Sequence, residues 1–311
     1  MDQRLLFLIN PHAGKAEIKS KALEVIDLFV SRGWEVTVYT TQRPLHIPEI
    51  LRERGRDYQL VVCCGGDGTL NETVSGLLEE GIQTPLGYLP AGTVNDFASS
   101  LGLSKNVLEA AQTVMDGQVF RCDVGRFEKR YFTYIAAFGA FTQVSYQTPQ
   151  EFKNIFGRGA YILEGIRRLS DIKSYPIRVE YDQGAVEGNF IFGMVSNSTS
   201  VGGIKMSGRM AGMSPGKPSP ISMEDGLLEV LLVRQPGSLS DAQNLINTLL
   251  FSPKPESEFV VFFRTSKLTF QSPEQVPWTL DGEFGGALSS VSVQNLPRAL
   301  PILVKNPPHQ L

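Results

Sequence analysis

The stretch Cys64-Gly65-Gly66-Asp67-Gly68-Thr69-Leu70-Asn71-Glu72 decides the fold, because an apolar run ends there and a helical pattern begins. The preceding residues, 58–64, form a short run with β-branched valines, which is typical of a buried strand. Apolar residues then recur at helical spacing, at Leu70, Val74, Leu77 and Leu78. The sequence therefore predicts glycines, an acid and a hydroxyl at the point where a strand turns into a helix.

A turn of this kind is suited to binding phosphate. Glycine permits positive φ and close approach of a ligand, and a helix start offers free amide donors at the positive end of its dipole. The Asp67 carboxylate could hold Mg²⁺ on the phosphates. The alternative is a plain tight turn with a Thr or Asn cap, since the stretch matches neither GxxxxGK[ST] nor GxGxxG.

Composition predicts an ordinary soluble protein of two domains. The chain has 311 residues, 42% of them hydrophobic and 20% charged. Its net charge of −3 gives no general attraction to nucleic acid. The three cysteines form no CxxC pattern, so we expect reduced core residues and a cytoplasmic protein. We expect no signal peptide and no membrane-spanning run, so any membrane contact is predicted to be peripheral.

The first part of the chain alternates strand and helix patterns. Strands are predicted at 4–9, 35–40, 58–64 and 86–89, and helices at 18–31, 48–56, after residue 70 and near 106–116. This alternation predicts an α/β domain with a doubly wound, mostly parallel sheet. Three polar, glycine-containing turns, 10–15, 65–72 and 90–96, follow strand C-terminal ends, where such sheets bind ligands.

The pattern changes near residues 121–125, after which strands dominate. We predict strands at 131–137, 177–182, 188–196, 227–233, 258–263, 266–271 and 289–294, and helices only near 158–172 and 239–250. The sequence therefore predicts an α/β domain, 1–122, followed by an antiparallel β-rich domain, 123–311. A return of the last residues to the first domain is left open. Residues 206–220, rich in Gly, Ser, Pro and Met, are predicted to be a mobile loop.

Several motifs in fixed order resemble the diacylglycerol kinase catalytic family, especially its soluble bacterial lipid kinases and more distantly sphingosine and ceramide kinases. They are NPHAGK, GGDGTLNE, LPAGTVNDFA, DGLLEV and DGEFGG, between about residues 4 and 304. GGDG alone is weak, since NAD kinases and phosphofructokinases also carry it, but the ordered set is specific. The resemblance implies an ATP- and Mg²⁺-dependent kinase that phosphorylates a lipid hydroxyl. It also implies that the active site lies in a cleft between the α/β domain and the β-rich domain.

The resemblance also implies site residues, position by position. Nucleotide contacts are implied for Asn10, Pro11, His12, Ala13, Gly14, Thr41, Gly66, Asp67, Gly68, Thr69, Leu70, Asn71, Glu72 and Thr93. In the DGE segment it implies Glu283 as the base, with Asp281 orienting it or binding a second Mg²⁺. It implies a structural Mg²⁺ loop in which Asp225 gives a carboxylate, and Ser222 and Leu227 give carbonyls. The chain departs from the family pattern in the 206–220 loop.

Each of these motifs has an ordinary structural alternative. Asp-Gly is a common hairpin dipeptide, so the turns at 225–226 and 281–282 are also explained as plain hairpins. The basic amphipathic segment 152–173 predicts either peripheral membrane contact or a packed helix. The histidines, His12, His46 and His309, have no metal-ligand spacing and are predicted to face solvent. Asn197 either lines the cleft or caps a turn.

The predicted function is a lipid kinase, most readily one that converts diacylglycerol to phosphatidic acid. The alternatives are a kinase of a soluble substrate such as NAD, another lipid alcohol such as a sphingoid base, and, more distantly, a non-catalytic nucleotide-binding regulator. The intact DGE acids argue against the last. We expect a cytoplasmic protein at the inner face of the membrane, with a lipid surface as partner and a homodimer as one oligomeric option.

Overall fold

The computed structural model describes residues 3–14, 17–140, 172–198, 200–201, 204–205, 222–238, 240–245 and 258–307. Three predictions lie wholly or mostly outside these residues: the helix near 158–172, the loop 206–220, and the second half of the helix at 239–250. The described residues 240–245 are helical, as predicted.

The first part of the chain alternates strands and helices, as predicted. Its elements are β1 (Gln3–Ile9), α1 (Glu17–Ser31), β2 (Trp34–Thr40), α2 (His46–Arg54), a 3₁₀ turn (Gly55–Asp57), β3 (Leu60–Gly65), α3 (Asp67–Glu79), β4 (Leu86–Pro90), α4 (Asp96–Ser100) and α5 (Val107–Asp116). The strands are parallel in the order β2-β1-β3-β4. Their carboxyl ends therefore meet at one edge of the sheet.

Helices bury both faces of this parallel part. On one face, α2 and α3 pack with alternate residues of β1 in a shared core. On the other face, α1 and α5 pack with the intervening residues of β1. All six residues of β3 are buried, which explains its continuous apolar sequence. Cys63, Cys64 and Cys122 are buried and form no disulfide, and burial raises the pKa of Cys63 to about 12.

The second part of the chain is rich in antiparallel strands. Its elements are β5 (Gln118–Phe127), β6 (Arg130–Phe132), β7 (Ile135–Gly139), β8 (Tyr175–Tyr181), β9 (Gly184–Ser196), β10 (Ser200–Val201), β11 (Ile204–Lys205), β12 (Leu228–Arg234), β13 (Val260–Thr265), β14 (Lys267–Leu280) and β15 (Glu283–Val304). The predicted mixed α/β class is confirmed.

Three strand predictions were wrong in extent. The predicted strands 266–271 and 289–294 are the ends of the much longer β14 and β15, whose register shifts accommodate internal prolines and glycines that resemble loop sequence. The predicted strand 131–137 is interrupted at Thr133 and Tyr134. The strand β5 was not predicted.

Strand β15 connects the two parts of the sheet. It pairs antiparallel with β14 and β5, and its end pairs parallel with β4, where Ile302 lies opposite Leu86. Thirteen of the described strands consequently belong to one continuous sheet. Every helix in the described ranges is too short or too polar to cross a membrane.

A two-residue turn joins β14 to β15. Leu280 pairs with Glu283 across it, and Asp281 and Gly282 have φ values of 48° and 85°. Positive φ at both central residues is what tight hairpins of this twist require, and Asp-Gly supplies it at low cost. The hairpin alternative for this motif is therefore correct as local structure, and it leaves open what the acids do.

Candidate active site

The three glycine-containing turns converge at the carboxyl edge of the parallel strands. Asn10 follows β1, and its Nδ2 donates to Oγ1 of Thr69 in α3 at 3.0 Å. A Cβ added to Gly66 would lie 3.3 Å from Cα of Gly92, and one added to Gly14 would lie 2.0 Å from the carbonyl oxygen of Ala91. A side chain at Gly14 would overlap the 90–96 turn and one at Gly66 would crowd it, so the turns approach one another closely and the predicted convergence is confirmed.

Asp67 begins α3 at this meeting point. Its Oδ2 accepts a hydrogen bond from the Asn95 amide at 3.0 Å, whereas its buried Oδ1 has no partner among the described residues. Burial raises the pKa of Asp67 to about 6, and the negative charges of Asp96 and Asp281 add to this shift. An unpartnered carboxylate oxygen in a negative environment fits a bound cation.

The described residues contain no group of three or more His, Cys, Asp or Glu side chains arranged to hold a metal ion. A cation at Asp67 would therefore need further oxygens from a ligand. This is the usual situation of Mg²⁺, which proteins commonly bind through one or two carboxylates together with substrate phosphates.

Asn95 shapes the loop that holds Asp67, and sequence analysis did not select it. It adopts the left-handed conformation with φ of 57° and is almost fully buried. Its side chain accepts from the Gly92 amide at 3.0 Å and donates to the Gly92 carbonyl at 2.9 Å, which leaves Thr93 exposed at the loop tip. An Asn directly before a helix and after a glycine was the available signal.

Asp281 is a buried acceptor for five hydrogen bonds. Its Oδ2 accepts from Asn71 Nδ2 at 2.8 Å and from the Thr133 amide and hydroxyl at 2.6 and 2.8 Å. Its Oδ1 accepts from the amides of Tyr134 and Ile135, each at 3.0 Å. These contacts interrupt the predicted strand 131–137, because three successive amides turn toward the carboxylate. Burial raises the pKa of Asp281, and the three amides oppose that shift.

Glu283 lies beside the GGDG turn, residues 65–68. A Cβ added to Gly68 would lie 2.8 Å from Glu283 Oε1, so this carboxylate lies against the first turn of α3. Unlike Asp281, Glu283 is exposed. The structure therefore brings both DGE acids to the GGDG turn and separates them into one hydrogen-bonded anchor and one accessible carboxylate.

The other predicted nucleotide residues divide by environment. Thr41, Pro11 and exposed His12 lie after β1 and β2 at the same sheet edge, whereas Ala13 is buried. The side chain of Leu70 is fully buried in the core, so it supports the turn and does not face a ligand. The Glu72 carboxylate accepts from the Leu45 amide at 2.9 Å and so caps the start of α2.

The predicted metal loop is held by an arginine. Asp225 Oδ1 accepts from the Leu227 amide at 3.0 Å, and its Oδ2 pairs with Arg264. Arg264 Nε also donates to buried Glu229 at 3.0 Å. Ser222 lies on the same loop, and its hydroxyl accepts from the Glu224 amide at 3.3 Å. Both Asp225 oxygens already accept one hydrogen bond, so a cation on this loop would have to share the carboxylate with Arg264.

A second buried acid, Asp123, anchors this loop, and sequence analysis missed it. Its carboxylate accepts from the Gly226 amide at 2.7 Å, from Asn295 Nδ2 at 3.0 Å and from the Arg298 amide at 2.7 Å. Its carbonyl accepts from Asn197 Nδ2 at 2.6 Å. Asn197 is therefore a buried link between β5 and the end of β9, which is neither of the two roles that the sequence left open.

The histidine prediction holds in part. His12 is exposed as expected, but His46 is half-buried and its Nδ1 accepts from the Gln42 amide at 3.2 Å at the start of α2. That local contact explains why it does not simply face solvent. His309 lies outside the described residues.

We expect Arg264→Ala to lower the melting temperature of the protein and a chelator to leave that of the wild type unchanged. The substitution leaves Glu229 buried without its cation, and breaking a buried ion pair costs about 3–5 kcal/mol. Arg178→Ala is the matched control, because its pair with Glu180 is surface-exposed and contributes about 0–1 kcal/mol. Thermal unfolding of all three proteins with and without EDTA is the measurement. A lower wild-type melting temperature in EDTA would instead support a bound metal ion on the 222–227 loop.

Comparison with known proteins identifies the family. The model of the diacylglycerol kinase catalytic domain matches residues 4–127. A diacylglycerol kinase of Staphylococcus carnosus (strain TM300) is 30% identical over 289 residues, covering 93% of this chain and 91% of that protein. One from Bacillus subtilis (strain 168) is 28% identical over 288 residues, covering 92% and 91%.

A crystal structure shows the same fold. It is that of a diacylglycerol kinase from Bacillus anthracis str. Sterne, which superposes with a TM-score of 0.72 at 19% identity over 97% of both chains. The identity and coverage of the Staphylococcus carnosus relative agree with the ordered motifs and show that the chain belongs to the diacylglycerol kinase family.

Proposed function

We propose that this lipid kinase transfers the γ-phosphoryl group of ATP to the hydroxyl of diacylglycerol, giving phosphatidic acid and ADP. The observation that carries the proposal is the 2.8 Å hydrogen bond from Asn71 to Asp281, which fastens the DGE turn to the GGDG helix. A soluble-substrate kinase built on GGDG remains the second candidate. The family membership and the relatives named as diacylglycerol kinases favour the lipid.

The proposed step forms one P–O bond and breaks another. The lipid hydroxyl oxygen attacks the γ-phosphorus, the bond from that phosphorus to the β–γ bridging oxygen breaks, and the hydroxyl proton passes to Glu283. A lipid hydroxyl is too weakly acidic to attack readily at neutral pH, so an accessible carboxylate at this place is effective as a base. Glu283 is exposed and lies against Gly68, whereas the carboxylate of Asp281 is already occupied by five donors.

The converged turns are suited to hold the phosphates. The α3 start offers amide donors and the positive end of a helix dipole. Asp67, through its unpartnered Oδ1, would hold a Mg²⁺ ion, and that ion would neutralise charge on the phosphoryl group. The rest of phosphoryl transfer depends on positioning, which the contacts among the three turns provide.

We also propose that the chain divides into a doubly wound nucleotide domain, 1–122, and a β-rich acceptor domain, 123–311, with the site in the cleft between them. The support is that Asp67 and Asn71 come from the first segment, and Asp281 and Glu283 from the second. On this division, a change at Glu283 affects the acceptor and leaves ATP binding to the first segment intact.

The function is tested with labelled ATP, a panel of lipid alcohols in mixed micelles, and NAD. We expect the label in phosphatidic acid, identified by mass, and none in NADP. The Asp67→Ala protein is the control, since loss of its carboxylate should abolish transfer while the melting temperature stays within a few degrees. Label in NADP, or an active Asp67→Ala protein, would contradict the proposal.

Substitutions of the two DGE acids should differ in their effects on protein stability. Glu283→Gln keeps the shape of an exposed side chain but removes its basic oxygen, so kcat should fall by on the order of 10²-fold or more at unchanged melting temperature and ATP affinity. Asp281→Asn places an amide among donors, and each buried group left unsatisfied costs about 1–3 kcal/mol. It should therefore lower both kcat and the melting temperature.

The measurements are kcat, calorimetric ATP affinity and thermal unfolding of both proteins. If Glu283→Gln keeps wild-type kcat while Asp281→Asn loses it at normal stability, Asp281 is the base and the roles are exchanged. If both keep it, the segment is only a hairpin turn.

Peripheral membrane docking through residues 152–173 is a further part of the proposal. Its support is the sequence, which combines apolar residues with Lys153, Arg158, Arg167 and Arg168. Of this segment only its last two residues are described, and there Lys173 pairs with Glu274 at 2.6 Å.

Charge reversal tests the docking. Arg167→Glu with Arg168→Glu should weaken binding to anionic vesicles and raise the apparent KM for lipid in vesicles, because the attraction between the segment and the surface is lost. Activity on a short-chain soluble diacylglycerol should stay unchanged, as should vesicle binding of the control Arg178→Glu. Vesicle sedimentation and lipid kinetics are the measurements, and unaltered binding of the double variant would favour a packed helix.

A further inference from the structure

Tyr134 lies in the interruption between β6 and β7, where hydrogen bonds hold both its backbone amide and its backbone carbonyl. Its amide donates to Asp281 Oδ1 at 3.0 Å. Its carbonyl accepts from the Asn197 amide at 3.1 Å and from the Ser196 hydroxyl at 3.0 Å. Asp281, which anchors the DGE turn, therefore also sets the position of Tyr134, a residue that is only 8% exposed.

The Tyr134 hydroxyl lies beside the DGE turn. A Cβ added to Gly282 would lie 3.7 Å from the hydroxyl oxygen. Within the described ranges no residue makes a hydrogen bond with this hydroxyl. By contrast, the buried hydroxyl of Tyr88 contacts the Gly65 carbonyl at 3.2 Å. A hydroxyl that makes no hydrogen bond with a described residue, beside the turn that carries Glu283, is available to donate to a bound ligand.

The charges around Tyr134 determine what its hydroxyl can do. Burial and the nearby carboxylates of Asp281, Asp67, Asp96 and Glu283 raise its pKa, so the phenol keeps its proton. It is therefore a hydrogen-bond donor and not a base. An anionic group entering a site surrounded by acids is repelled by them, and a fixed neutral donor offsets part of that repulsion.

We propose that the Tyr134 hydroxyl donates a hydrogen bond to an oxygen of the phosphoryl group in transit between ATP and the acceptor. This inference rests on the proposed function and adds a catalytic residue to it. In phosphoryl transfer, negative charge is spread over the equatorial oxygens of the transferring group, and a donor aimed at them stabilises the transition state more than the ground state. Tyr134 is held by Asp281, so the anchor aligns the base and the donor together.

The test is Tyr134→Phe, which removes only the hydroxyl, with Tyr175→Phe as a buried tyrosine control on β8. We expect kcat to fall on the order of 10²-fold, as for loss of one oxyanion donor, with unchanged KM for ATP and unchanged melting temperature. Binding of MgADP with aluminium fluoride, a mimic of the transferring phosphoryl group, should weaken by a similar factor, whereas binding of ATP should not. Tyr175→Phe should change neither.

Two results would overturn the inference: wild-type kcat and aluminium fluoride affinity in Tyr134→Phe, or a lower melting temperature with unaltered affinity of the folded protein for that mimic. The aluminium fluoride measurement needs no lipid. A failure of the proposed function is seen separately, as a wild-type protein that transfers no phosphate to any lipid.

Discussion

The buried carboxylate of Asp281 is the interaction on which the arrangement of the site depends. A lone buried charge is unfavourable, but five hydrogen bonds from two other segments satisfy this one. Asn71 comes from α3, residues 133–135 come from the break between β6 and β7, and Asp281 itself opens the hairpin. These hydrogen bonds therefore fix three parts relative to one another: the GGDG turn, the Tyr134 backbone and the DGE turn that carries Glu283.

Asp123 plays a comparable part away from the site. Its carboxylate accepts from the 222–227 loop and from the bulged middle of β15, while β15 continues to the edge of β4. The continuous sheet, with these two buried acids hydrogen-bonded at its bulge and at its hairpin, is the support of the candidate site. Catalytic groups on such a support keep their geometry better than groups on free loops, which matters where positioning is the main source of rate.

The sequence predicted the parts of this molecule that depend on local pattern. Buried parallel strands, their helices and the glycine turns are readable because apolar periodicity and glycine spacing are local signals. The extent of β14 and β15 could not be predicted, because their bulges allow prolines and glycines inside the strands, and in a sequence these residues indicate turns. Asp123, Arg264 and Tyr134 were missed because their partners are distant in sequence: Arg264, for example, meets Asp225 and Glu229 only after β12 and β13 pair.

The central claim is that the Asn71–Asp281 contact acts by holding Glu283 in place, and a double-mutant cycle on kcat tests it most directly. Asn71→Ala, Glu283→Gln and the combined variant are measured at saturating ATP and lipid. If Asn71 acts through Glu283, Asn71→Ala lowers kcat strongly in the wild type and by a clearly smaller factor once Glu283 is glutamine, where only the alignment of Tyr134 is left to lose. Effects that multiply independently would contradict the account and give Asn71 a separate role.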